Sequence, residues 1–141
     1  MLAAPFIATS IARADSLETL EEGLRRILEN ATEGENIIEE GVPLSPLQRE
    51  LLDKALRKIE GPLRIILNPA VAPSLDPVNA GSILYTVRPI TLEEYAASVR
   101  QLAREAYAEL RFGIGNAEYV GSRIRTINHW LPRYRDLAGI G

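Results

Sequence analysis

Apolar residues recur at helical spacing in four separate stretches of this chain, and each stretch opens with a recognisable start signal. The first runs from a capping box, Asp15 with Glu18, to about Ala31. Leu17, Leu20, Leu24, Ile27, Leu28 and Ala31 share one face there, and Gly34 reads as the stop. The second has Ser45 as cap, Pro46 at the first helical position and Gln48 closing the box. Its apolar face comprises Leu47, Leu51, Leu52, Ala55, Leu56 and Ile59, and Gly61-Pro62 reads as its terminator. The third spans Thr91, paired with Glu94 in a capping box, to Phe112 before Gly113. The fourth runs from an Asn116 cap to about Leu131, before Pro132, with Val120, Ile124, Ile127 and Leu131 in a narrow stripe.

Between the second and third helices, Pro62, Pro69, Pro73, Pro77 and Pro89 forbid one long helix. Leu63 to Leu67 fits one or two helical turns or a short strand. Ile83 to Val87 has strand-like composition but a single candidate partner, and an isolated hairpin is marginal. Residues 62–90 therefore read as an ordered crossover packed along the bundle. The fold expected is all-α: a four-helix bundle over residues 15–141, with an extended apolar arm at 1–14 and a proline-rich crossover.

Charge changes the picture. Residues 1–70 carry 12 acids and 8 bases, whereas residues 71–141 carry 7 acids and 8 bases. In the first half, acids sit three or four positions from their bases: Arg25 has Glu21, Glu22 and Glu29, and Arg57 has Asp53 and Glu60. Arg100, Arg104, Arg111, Arg123 and Arg125 have no acid at those offsets. Along the third helix, Arg100, Arg104 and Arg111 line one flank, and Glu94, Glu105 and Glu109 line the other. Two readings compete for the five arginines. As unpaired guanidinium forks they would bind phosphate with salt-sensitive affinity. Alternatively, carboxylates of the acidic helices satisfy them across the bundle.

Catalytic and metal chemistry is not expected. The chain has no cysteine and one histidine, His129, with no nucleophile elbow and no metal-ligand spacing around it. Gly113-Ile114-Gly115-Asn116 is better explained as a helix stop followed by a helix cap than as a phosphate loop. No cofactor and no small-molecule substrate are implied. Met1 to Ala14 superficially resembles a secretory signal but lacks the basic start, so export is not expected. Its Phe6, Ile7 and Ile11, on a segment with Arg13 as its one charge, suit burial either in the chain's own bundle or, the reading preferred here, in a neighbouring subunit. Tyr119, Arg123, Trp130 and Tyr134 offer either an exposed aromatic platform or a core edge; Trp130 joins the arm as a candidate assembly residue.

Nine prolines, two glutamines and one methionine among many charges fit a hot environment. That composition, the arm MLAAPFIATSIARA, the helices opening at Asp15, Ser45, Thr91 and Asn116, and the locally unpaired arginines resemble the major capsid proteins of filamentous and rod-shaped viruses of hyperthermophilic archaea. The resemblance is architectural and involves no diagnostic motif. It implies a virion protein that assembles, with itself or a paralogous subunit, into a helical filament around double-stranded DNA. The arginines would then contact phosphate. The acidic first helix departs from that family. The reading from a different class is a cytoplasmic helical adaptor or regulatory subunit that binds an acidic protein.

Overall fold

The computed structural model describes residues 17–72 and 88–141. The arm with Phe6, Ile7 and Ile11, Asp15 of the first capping box, and the Ile83–Val87 segment lie outside the described residues. Within them the chain is all-α. Helices α1 (Leu17–Ile37), α2 (Pro46–Ile66), α3 (Leu92–Phe112) and α4 (Ala117–Leu137) pack as a bundle. Each has 21 residues, or about 31 Å of helix.

Three of the four expected start signals lie within the described residues, and these form as read. Ser45 accepts from the Gln48 amide while the Gln48 side chain accepts from the Ser45 amide, and Thr91 and Glu94 make the same reciprocal pair. Asn116 caps α4 by accepting from the Tyr119 amide. These contacts satisfy amide groups that a helix start otherwise leaves unpaired.

Three helix ends lie further along the chain than local breakers suggest. α1 passes through Gly34 to Ile37. A Cβ at Gly34 would stand 3.0 Å from the Tyr134 hydroxyl and 3.3 Å from Leu52, so this glycine permits close helix packing instead of ending the helix. α2 passes through Gly61-Pro62 to Ile66, which makes the Leu63–Leu67 stretch helical. Proline clashes with the Cβ of a preceding helical residue, and Gly61 has none. Burial of Leu63 and Ile66 supplies the driving force for the extra turn. α4 likewise passes Pro132 and continues to Leu137, burying Tyr134. The residues four before the two prolines, Lys58 and Asn128, are exposed, so the carbonyls that lose a helical partner lie on the solvent side.

α1 packs on both α2 and α3, α3 packs on α4, and α2 touches α4 least. Gly23 faces Ile66 and Gly34 faces Leu52, so α1 and α2 are antiparallel. The Glu21–Arg111 and Glu35–Arg100 pairs make α1 and α3 antiparallel as well. α2 therefore finishes at the end of the bundle where α1 begins, while α3 starts at the opposite end, beside the α1–α2 turn (Gly41 N–H donates to Glu93 Oε1, 3.3 Å). The connection from Leu67 to Thr91 joins opposite ends. The core is built from Leu20, Leu24 and Ile27 of α1, Leu52, Leu56 and Ile59 of α2, Val99 and Ala103 of α3, and Val120, Ile124 and Ile127 of α4. Leu47 and Leu51, expected on the apolar face of α2, are exposed instead.

Candidate functional site

Three of the five candidate arginines hold carboxylates. The Arg100 Nε donates to Glu35 Oε1 at 2.7 Å, a contact between α3 and α1. Arg111 reaches Glu21 at 3.4 Å in an exposed pair. Arg123 donates to Glu105 at 2.9 Å and to the Tyr119 carbonyl at 3.2 Å, with its guanidinium 3.3 Å from the centre of the Tyr119 ring. Its side chain is only 16% exposed. Arg125 is engaged too. Arg104 is exposed and has no acid within ion-pair distance among the described residues. The charge-separated flanks of α3 thus face different neighbours: Arg100 and Arg111 meet the acids of α1, while Glu105 and Glu109 face α4, where Glu109 accepts from the Asn116 amide.

Arg135 was not among the candidates, yet it bridges two carboxylates of another helix. Its Nε and one terminal nitrogen donate to the two oxygens of Glu60 at 2.7 and 3.0 Å, and the other nitrogen donates to Asp53 at 2.8 Å. The rule that selected the five also selects this residue, whose offsets carry Leu131, Pro132, Ala138 and Gly139. Reading the helix as ending near Leu131 concealed it. The Arg135 guanidinium, with Arg57 assisting, holds the Asp53 carboxyl below its usual range, and Arg25 and Arg26 do the same to Glu22.

Trp130 belongs to the core, which corrects its assignment to an assembly interface. It lies on the inward face of α4 with Ile127 and Leu131 and meets Tyr95 edge-on, the ring centres 6.1 Å apart. Tyr134 is fully buried, its hydroxyl has no hydrogen-bond partner, and burial pushes its pKa up. His129 is exposed. Among the described residues no group of His, Asp or Glu side chains is arranged to hold a metal ion, and no helix is long and apolar enough to cross a membrane.

What remains unpartnered is distributed by position along the bundle. Among the described residues the exposed large apolar side chains are Ile65, Phe112 and Ile114 at the end where α1 begins, and Val42, Leu47 and Ile90 at the other, with Leu51 one turn further in. None falls in the central nine residues of any helix. Charge follows the opposite rule. Those central stretches (23–31, 52–60, 98–106 and 123–131) hold nine of the 15 described lysines and arginines but only four of the 17 described acids, Glu29, Asp53, Glu60 and Glu105. The waist is cationic; the ends are acidic and apolar. Comparison with known protein families, curated proteins and solved structures gives no match to this chain.

Single substitutions separate the roles of neighbouring arginines on α3. Arg100→Gln is expected to lower stability by about 0.5–1 kcal/mol, since it removes a partly exposed cross-helix pair. Arg104→Gln is expected to leave the melting temperature nearly unchanged. If Arg104 meets phosphate, as one reading of the sequence holds, that change should instead lower the salt slope of duplex DNA binding by about 0.9, the amount for one phosphate contact. Melting and binding titrations on both variants decide; a stable Arg100→Gln with a shallower slope would reverse these assignments.

Proposed function

We propose that this chain is a structural subunit whose copies join into a filament, a capsid-type protein enclosing double-stranded DNA. The observation that carries the assembly half is the confinement, among the described residues, of exposed large apolar side chains to the two ends of the bundle. Phe112 and Ile90, 79% and 76% exposed, stand at opposite ends. Apolar clusters of this kind mark interaction surfaces, and contact between unlike surfaces of successive copies propagates as an open filament unless the rotation closes a ring. The cationic waist supports the DNA half, with exposed Arg104 contributing charge that no described carboxylate neutralises. Arg100, Arg111 and Arg123 support it less, because phosphate would have to displace their carboxylates.

Sedimentation of the purified chain over a range of concentrations tests this. Large species that grow with concentration are expected, and Phe112→Asp with Leu47→Asp should abolish them without unfolding the bundle, since both side chains are exposed. A defined small oligomer free of nucleic acid would favour the adaptor reading.

A further inference from the structure

Along the outer seam of α1 and α2, two hollows run into one another. One, of about 660 Å³, is floored by Gly23, Gly61, Pro62, Ile65 and Ile66, small or apolar residues with little to fill the space above them. The next, of about 890 Å³, shares Gly61 and Pro62 and continues toward the start of α2 past Lys58, Arg57 and Lys54. On its α1 edge Glu22 and Glu29 are taken up by Arg25 and Arg26, which leaves Glu33. On its α2 edge Arg57 is paired with Asp53, whereas Lys54 and Lys58 are exposed and have no ion pair among the described residues. The furrow is therefore apolar at one end and cationic further along.

The α1–α2 turn has the complementary sequence. Glu39 and Glu40 are exposed and unpaired among the described residues, Gly41 reverses the chain at φ 73°, and Val42 and Leu47 follow with exposed side chains. The Val42 N–H donates to the Glu39 carbonyl at 3.2 Å, closing a tight turn, so the acids and Val42 lie within about 7 Å of one another. Lys58 and the Pro62–Ile65 floor lie four to seven helical residues apart, about 6–10 Å. A chain cannot make this contact with itself, because α2 leaves the turn directly and places Ile65 about 27 Å from Leu47.

We propose that the α1–α2 turn of one copy docks in the α1–α2 furrow of a second copy, with Glu39 and Glu40 against Lys54 and Lys58 and Val42 over Pro62 and Ile65. This rests on the assembly reading above and names the two surfaces that meet. They differ, so the contact is heterologous and repeats from copy to copy.

A charge exchange tests it. Glu39→Lys with Glu40→Lys, and separately Lys54→Glu with Lys58→Glu, should each raise the concentration at which assembly begins by about tenfold or more, as charge reversal in an interface does. The four changes together should return that concentration to within about threefold of the starting protein. Val42→Asp should impair assembly in either charge background. All five positions are exposed, so circular dichroism and melting should show folded protein throughout. If the unaltered protein assembles but either pair has no effect, or the fourfold variant is not restored, this docking is wrong and the assembly reading stands. If the unaltered protein does not assemble at all, both fall.

Discussion

Gly34→Leu is expected to destabilise the bundle by about 2 kcal/mol or more, although the same change would strengthen an isolated helix. Replacing a helical glycine gains up to about 1 kcal/mol of backbone propensity. Against that, even the first added carbon would lie 3.0 Å from the Tyr134 hydroxyl and 3.3 Å from Leu52, both side chains fully buried. Overpacking of this kind costs about 1–3 kcal/mol and sometimes more, because close-packed neighbours have nowhere to move. The urea midpoint should fall accordingly. A midpoint at or above that of the starting protein would mean that α1 and α4 can separate without loss, and that Gly34 is only a tolerated weak point.

Arg135→Ala is expected to cost about 2 kcal/mol, the largest effect of any single charge removal among the described residues. Its side chain is 16% exposed and is shared by two carboxylates across the seam where α2 and α4 otherwise touch little. Removal leaves Asp53 and Glu60 without that cation, and a partly buried carboxylate stripped of its partner is costly. Arg57→Gln is the contrast. That side chain is 72% exposed and Asp53 retains Arg135, so little change is expected. The seam also carries a pH signature. Asp53 is depressed in the folded protein, so its contribution is fully present above the ordinary carboxylate range near pH 3.9 and is lost as pH falls through the lower folded value. Melting temperature should drop in acid below about pH 4, and the drop should be shallower in Arg135→Ala. An unchanged acid limb in that variant would remove Asp53 from the explanation.

Helix starts were legible in the sequence because capping is local chemistry: Ser45 with Gln48, Thr91 with Glu94, and Asn116 each act within one turn. Three helix ends were not, because glycine and proline state only a local preference. Leu63, Ile66 and Tyr134 gain burial from other helices, and that gain outweighs the break. The arginine pattern had the same limit. Local spacing shows that an acid is missing at three or four residues, but not where one arrives from. Arg100 finds Glu35 at a separation of 65 residues, and Arg111 finds Glu21 at 90. Pairing with the acidic helices was one of the two readings open at that point, and it accounts for Arg100 and Arg111; Arg123 pairs instead with Glu105 of α3, and Arg104 with no described acid. Leu47 and Leu51 show the reverse error. Their spacing places them on an apolar face, but apolarity alone does not reveal that this part of α2 lacks a covering helix.

Those uncovered residues are the basis of the assembly proposal, and electron microscopy of the purified protein tests it most directly. Grids prepared from a concentration series should show regular filaments of constant width that become longer and more numerous as concentration rises. They should be absent from the variant carrying Leu47→Asp and Phe112→Asp. Discrete particles of single-bundle size at every concentration, for the unaltered protein as for the variant, would contradict the account.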